Sequence, residues 1–337
     1  METILVSIIS DQTIPNLLII KEFFAEYDRQ VFISTQRMEK EGKSRWIENA
    51  ADIVPAFTER ILVDENSWID IEKKLKNYKW PENSVFLVNL TGGTKVMTLA
   101  VYDYFAKSGN RIIYVPIGKN CYEELYPHKN SRAVPIKTRL GVKEYLTAHG
   151  ISYTQKTTFK KPFSELQKIL KSYKNKGYDI ENLFAGYPPE WKSYYTGEWF
   201  EEYLFYSIKK DLSLSRNEIV SGIKLNHNNN ENSMKNDQEL DIVFTCNNEL
   251  YILEAKVSIG RSGLNKELLY QIMFKLSAIN RNFGIRSYPF VITLADTNER
   301  SGDFRNDLLR KAGVLGIKKI IDRNDLNNPG FSFKQII

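Results

Sequence analysis

The chain is poor in cysteine and histidine. Its two cysteines, Cys121 and Cys246, cannot build a disulfide scaffold or a cysteine-rich zinc site. Its three histidines, His128, His149 and His227, follow no metal-ligand spacing and read as ordinary surface or core residues. No apolar run approaches the roughly 18 residues a membrane helix needs. The N-terminus has no basic region and its first apolar run is interrupted by Asp11, so no secretory signal is expected and the cytoplasm is the expected compartment.

With 337 residues, 42% of them hydrophobic, there is enough material for more than one core. The formal charge of +6 is unevenly placed. Residues 136–196 hold 11 Lys/Arg against 5 Asp/Glu, whereas 1–135 and 197–337 are nearly balanced. Such a basic stretch is either a track for phosphates or a solvated linker surface.

The first segment alternates strands and helices. Strands are expected at Ile4–Ser10, Val31–Thr35, Glu59–Val63, Ser84–Leu90 and Arg111–Ile117. Helices are expected at Pro15–Tyr27, around Trp46–Ala51, at Trp68–Tyr78 and at Thr94–Lys107, with a polar flexible loop at Gln36–Lys43. This predicts a Rossmann-like α/β domain, a parallel sheet covered by helices, over 1–135. Residues 136–190 read as a small, basic helical connector with helices at Val142–His149 and Phe163–Tyr173, closed by Gly186-Tyr187-Pro188-Pro189. From 191 to 337 the pattern is a second α/β domain. Its helix Thr196–Lys210 precedes strands at Glu218–Asn226, Gln238–Thr245 and Glu249–Val257, with an Asn-rich insert at Asn226–Asp237. A long helix, Leu264–Asn282, and a strand, Tyr288–Leu294, follow. Trp191, Tyr194 and Tyr195 are expected to pack at the domain joint, with stacking on bases the other reading.

The most specific chemical signal lies in the second domain. Asp241 opens an apolar strand, and Glu254-Ala255-Lys256 closes the next. Glu254 and Lys256, two apart in a strand, share a face, and a hairpin would bring Asp241 beside both. Two carboxylates and an ammonium at a sheet end make a divalent-metal site: Asp241, Glu254 and the backbone carbonyl of Ala255 offer hard oxygens suited to Mg²⁺ or Mn²⁺. Lys256 would position water and offset phosphate charge. A salt bridge is the plainer alternative, but buried carboxylates inside apolar strands are costly unless they bind something.

These residues resemble the core of the PD-(D/E)XK nuclease superfamily, with Leu240-Asp241 in place of the usual Pro-Asp. Gly197-Glu198-Trp199-Phe200-Glu201-Glu202 is similar to the helix motif of its restriction-like members. The resemblance implies a restriction-endonuclease-like fold and metal-dependent phosphodiester hydrolysis. It makes Glu201 the helix carboxylate that reaches the metal or its water, and Gln271 an accessory catalytic residue, with Lys275 one turn on in reach of phosphate.

In the first domain two loops follow strands: Ser10-Asp11-Gln12-Thr13, and Leu90-Thr91-Gly92-Gly93-Thr94-Lys95. Ligands bind outside the carboxyl ends of parallel strands. Glycines let a backbone approach closely, and Thr94 and Lys95 at a helix start suit phosphate and ribose. The spacing is neither a Walker A loop nor a dinucleotide fingerprint. The two loops resemble the CARF sensor domain of CRISPR-associated proteins, and sensor plus nuclease is similar to the ancillary nucleases of the Card/Can type found with type III CRISPR systems. The resemblance implies a homodimer that binds a cyclic oligoadenylate, cyclic tetra-adenylate foremost, through Ser10, Asp11, Gln12, Thr13 and Thr91 to Lys95. The polar loop Gln36–Lys43 is a candidate to close over the ligand. The implied substrates are single-stranded DNA, supercoiled DNA and RNA, and no membrane is implied. A sensor with an inactive nuclease domain and an unregulated repair or restriction nuclease are the other readings.

Overall fold

A computed structural model describes residues 2–53, 57–107, 109–127, 133–155, 159–179, 188–227, 238–258, 265–297 and 302–337. His128, Lys156, Gly186, Tyr187 and the Asn-rich insert at 228–237 lie outside the described residues. Two compact units divide the chain between Ser152 and Tyr153.

The first unit alternates as its sequence pattern predicts: β1 (Thr3–Ile8), α1 (Ile14–Glu22), β2 (Arg29–Ser34), α2 (Gln36–Glu41), α3 (Lys43–Ala51), β3 (Thr58–Leu62), α4 (Trp68–Asn77), β4 (Val85–Asn89), α5 (Lys95–Phe105), β5 (Arg111–Tyr114), β6 (Cys121–Tyr126), β7 (Val134–Pro135) and α6 (Val142–Thr147). The sheet runs β3-β2-β1-β4-β5-β6-β7. β1 to β5 pair in parallel, whereas β6 and β7 are antiparallel. Ile4, Val6, Ile8, Val31, Ile33, Val88 and Ile112 are buried in its core, the continuous apolar runs expected of strands covered on both faces.

Three expectations need correction. The helix predicted to reach Tyr27 stops at Glu22, with Phe23 as its C-cap. The segment predicted as the flexible loop Gln36–Lys43 is mostly helix: Thr35 Oγ1 accepts from the Met38 amide to start α2, and Gly42, at φ 82°, ends it. Glu39 then ties α2 down, accepting from Ser34 Oγ, Ser44 Oγ and Arg60 Nε. Finally, residues 136–190 do not form one connector. α6 packs on α3, Lys21 pairs with Glu144 at 2.6 Å, and Glu22 accepts from the amides of Lys137 and Thr138. All these partners lie within the first unit.

From Ile151 onward come β8 (Ile151–Gln155), a strand with no counterpart in the sequence reading, α7 (Phe163–Asn175), a π-helical turn (Tyr194–Glu198), α8 (Trp199–Asp211), β9 (Ile219–His227), β10 (Glu239–Cys246), β11 (Glu249–Lys256), α9 (Lys266–Asn280), β12 (Ser287–Thr293), α10 (Gly302–Val314), β13 (Lys319–Ile321) and α11 (Arg323–Asn327). The sheet runs β13-β12-β11-β10-β9-β8. β9, β10 and β11 are antiparallel neighbours; β11, β12 and β13 are parallel. Asn247 and Asn248 both adopt left-handed backbone, at φ 51° and 60°. That is the two-residue turn whose twist matches a tight hairpin, and it locks the register of β10 on β11.

On α8, Phe200, Leu204 and Ile208 recur every four residues and bury against Ile242 and Leu253 of the sheet, with Leu166, Ile169 and Tyr173 of α7 in the same core. α7 is therefore part of the second unit, its apolar stripe inward and Lys168 and Lys171 exposed. Tyr194 and Tyr195 are buried in this core, as packing residues should be.

Candidate functional site

In the second unit the hairpin register pairs Ile242 with Leu253, which sets Asp241 against Glu254 at the sheet end. Both are buried, at 8% and 4% exposure. Asp241 Oδ2 accepts from the Ala255 amide at 2.7 Å. Lys256 Nζ then donates to three oxygens: Asp241 Oδ2 at 3.1 Å, the Ala255 carbonyl at 3.1 Å and Glu254 Oε1 at 2.9 Å. Lys275 Nζ, from α9, lies 3.4 Å from Glu254 on its other side. Gln271 is exposed on α9 and bonds none of these groups among the described residues.

The electrostatics follow from crowding. Burial and the charge of Glu254 push the Asp241 carboxyl well above the carboxylate range, against the opposing pull of Lys256. Glu201, on α8, is pushed up to about 8, first by burial and then by Asp241 and Glu254. Its carboxyl thus lies near enough to feel both charges. Its neighbours have other duties: Glu202 is buried, accepting from Tyr194 Oη and the Lys160 amide, and Glu198 pairs with Lys160. Burial alone would lower the Lys256 pKa; Asp241 and Glu254 outweigh it and hold the ammonium charged.

This arrangement can be tested for fit to a divalent ion. The three oxygens nominated from sequence as ligands surround a single cationic nitrogen, so they already converge on one positive charge. The raised carboxyls of Glu201 and Asp241 reflect burial first and the neighbouring carboxylates second, with Lys256 opposing both. A hard divalent cation answers both features, so the donor set fits. Among the described residues no three His, Cys, Asp or Glu side chains stand close enough to share an ion.

In the first unit the strand order places β1 beside β4, with β2 beyond β1 and β5 beyond β4. The chain turns in opposite directions from this pair, which opens a crevice at their carboxyl ends. Both nominated loops lie there. Asn89 Nδ2 donates to Asn16 Oδ1 at 2.7 Å, Asn16 Nδ2 donates to the Ile8 carbonyl, and the Thr91 amide donates to Asn89 Oδ1. The two loops are thus bound through one amide chain.

Gly92 and Gly93 have φ of 135° and 70°, and a Cβ on Gly93 would lie 2.5 Å from Ile8 Cγ2. Only glycine accepts both constraints. Thr94 Oγ1 caps α5 by accepting from the Met97 amide and donates to the Glu65 carbonyl. Thr91 Oγ1 accepts from the Val115 amide. Thr13 is buried. The side chains left facing outward are Asp11 and Lys95, with Gly93 beside them, while Ser10 and Gln12 are partly buried. Arg37, on α2, reaches Asp11 with both terminal nitrogens, at 3.3 and 3.4 Å. Sequence reasoning passed over Arg37; its signal was a basic side chain just past β2, whose carboxyl end a parallel sheet sets beside that of β1.

Comparison with known proteins agrees with both halves. The family model described as the Card1 CARF domain matches residues 4–145, and that described as the Card1-like endonuclease domain matches residues 190–325. The chain thus joins an N-terminal CARF domain to a C-terminal endonuclease domain. It belongs to the CRISPR-associated CARF nucleases. Among solved structures it resembles protein VC1899 from Vibrio cholerae, at 16% identity over 97% of this chain and 95% of that one, with a TM-score of 0.73. It also resembles Can2 from Sulfobacillus thermosulfidooxidans in complex with cyclic tetra-adenylate, at 18% identity over 95% of each chain and a TM-score of 0.69. A type III CRISPR defence DNA nuclease activated by cyclic oligoadenylate aligns at 15% identity over 86% of this chain and 45% of that one, with a TM-score of 0.59. At such identities the likeness is one of fold. No relative was found among curated proteins.

Proposed function

We propose that this chain is a metal-dependent nuclease of the PD-(D/E)XK type, switched on by a cyclic oligoadenylate and acting as a homodimer in type III CRISPR defence. The observation that carries the catalytic half is the convergence of Asp241 Oδ2, Glu254 Oε1 and the Ala255 carbonyl on one cationic nitrogen within 3.1 Å. A divalent ion held by those three oxygens, Mg²⁺ or Mn²⁺, would supply Lewis-acid activation of water and of the scissile phosphate. Lys256, displaced from the carboxylates, would donate to a phosphate oxygen and offset the charge that develops on it. Glu201 would orient the attacking water through its carboxyl. Lys275 and Gln271, on the open side of Glu254, would hold the neighbouring phosphate.

The sensing half rests on the crevice between β1 and β4. Ser10, Asp11 and Gln12 would meet one side of the ring, whereas Thr13, at 1% exposure, is buried beneath the loop and does not reach it. The backbone of Thr91, Gly92 and Gly93 would meet the other, with Thr94 and Lys95 at the start of α5 facing phosphate. Arg37 would add a second cation. A two-fold symmetric ring suits an isologous dimer, and the Can2 complex favours cyclic tetra-adenylate as the ring to try first. Activation requires the ring to bind the active arrangement more tightly than the resting one.

The test is cleavage of single-stranded DNA, supercoiled plasmid and RNA in Mn²⁺, without activator and with cyclic tri-, tetra- and hexa-adenylate. Cleavage is expected only with one ring size, and Glu254→Gln should abolish it while leaving ring binding intact. Normal cleavage by Glu254→Gln would remove the site assignment, and cleavage without any ring would remove the gating.

A further inference from the structure

In the second unit, α7, α8 and the C-terminal segment line a cavity of about 380 Å³, within the roughly 300–1,000 Å³ of small-molecule sites. Each of the three contributes an aromatic ring and a lysine: Phe163 and Lys174 from α7, Tyr203 and Lys210 from α8, Phe333 and Lys334 from the C-terminal segment. Phe163 and Tyr203 stack with 5.8 Å between ring centres, and Phe331, also on the wall, meets Phe333 edge-on at 5.2 Å. The cavity is separate from the nuclease carboxylates. Tyr203, Ser207 and Lys210 recur at helical spacing and share one face of α8. Glu201, two residues before Tyr203, projects about 200° away round the helix, at 3.6 residues per turn. On β11, Leu253 and Ala255 enter the same core as α7 and α8, and Glu254 between them points to the opposite face of the sheet.

Three features of the lining call for a ligand. Lys174, Lys210 and Lys334 have no ion-pair partner among the described residues, so their charges are uncompensated. The one carboxylate on the wall, Asp211, is already in use: its Oδ2 accepts from Ser332 Oγ at 2.8 Å and from the Phe333 amide at 2.6 Å, which fastens the C-terminal wall. Ser207 Oγ is buried with no hydrogen-bond partner among the described residues, where a buried hydroxyl ordinarily has one. Uncompensated cations attract an anion, aromatic walls accept a flat ring, and the hydroxyl needs a polar atom. A nucleoside monophosphate carries all three.

We propose that this cavity binds a nucleoside monophosphate group, its base against the Phe163–Tyr203 wall and its phosphate among the lysines. The group comes either as a free mononucleotide or as the 5′-phosphorylated end of a strand. None of these residues belongs to the nuclease assignment or to the sensor loops, so the proposal stands or falls apart from both.

The experiment is titration calorimetry of the full chain in EDTA with adenosine 5′-monophosphate, adenosine and inorganic phosphate. The monophosphate should bind at least about tenfold more tightly than either fragment, since each fragment meets only part of the lining. Lys210→Ala and Lys334→Ala should each weaken it roughly tenfold. Tyr203→Leu should weaken it roughly 5- to 100-fold, and Tyr203→Phe should restore it. Lys95→Ala, on the sensor loop, should leave it within about twofold of wild type, as a distant site does. A 5′-phosphorylated trinucleotide that displaces the monophosphate identifies a strand end as the source, and failure to displace it identifies the free nucleotide. The proposal is overturned by no monophosphate binding up to millimolar concentration, by adenosine or phosphate binding as tightly, by unchanged binding in Lys210→Ala and Tyr203→Leu, or by loss of binding in Lys95→Ala.

Discussion

Glu201→Gln in protein stripped of divalent ions is a sharp test of the site's electrostatics. In the folded chain the Glu201 carboxyl keeps its proton up to about 8, through burial and the carboxylates of Asp241 and Glu254, from an ordinary value of 4.5. The folded state thus binds this proton more tightly than the unfolded state. The benefit is complete below about pH 4.5 and is lost as the pH rises through about 8. If the whole displacement belonged to one group, the loss would approach about 5 kcal/mol, at about 1.4 kcal/mol per pH unit. Glu201 is partly open to solvent, and three interacting carboxyls share the proton, so about 1–2 kcal/mol is expected.

Glutamine keeps the shape and removes the titration. At pH 8.5 in EDTA the variant should be the more stable protein by that amount, and at pH 5 the two should agree within about 0.5 kcal/mol. In a unit of this size 1 kcal/mol moves Tm by roughly 2–4 °C. Trp199 is fully buried two residues away, so its fluorescence follows melting of this unit. A Tm difference that is the same at both pH values, or a variant less stable at pH 8.5, would refute the reasoning by showing that burial and the neighbouring carboxylates do not hold the proton on Glu201.

Two further outcomes follow from the same geometry. Lys256→Met should lose cleavage yet bind Mn²⁺ at least about tenfold more tightly in calorimetry without nucleic acid, because a unit charge within about 4 Å of the ion is worth several kcal/mol at a protein-like dielectric; unchanged or weaker metal affinity would show that the ammonium does not occupy the metal position. Gly93→Ala forces a Cβ into the left-handed region and to 2.5 Å from Ile8 Cγ2, which should cost about 1–3 kcal/mol and weaken cyclic oligoadenylate binding. The Tm reads the first effect and titration calorimetry the second, and full affinity in a destabilised variant would detach this loop from the ligand.

Much of the candidate site was legible in the chain. Glu254 and Lys256 share a face because a strand repeats every two residues, and Asn247-Asn248 marks the hairpin that returns Asp241 to them. The glycine pair before Thr94 was legible for a similar reason, since a left-handed turn and a helix cap each leave a residue-type mark. The loop assigned to Gln36–Lys43 went the other way. Its polar composition hid a short helix, because Arg60, which bonds Glu39, stands 21 residues away, and the local marks, the Thr35 cap and Ser44, read as loop polarity. The connector at 136–190 misled for the same reason. A basic, amphipathic α7 looks like a linker until Leu166, Ile169 and Tyr173 find a core to enter.

The sequence by itself determined what depends on short-range geometry: the alternation of elements, the hairpin, the helix caps and the residue types at both sites. Only the tertiary structure decided what depends on strand order and helix docking. It set β1 beside β4 so that two loops about 80 residues apart share a crevice, and it brought Arg37 onto Asp11. It also set α8 so that Glu201 feels the charge of Asp241, and turned α9 so that Lys275 meets Glu254. These contacts follow from the burial of apolar stripes on different elements, a property of the whole core that no local pattern encodes.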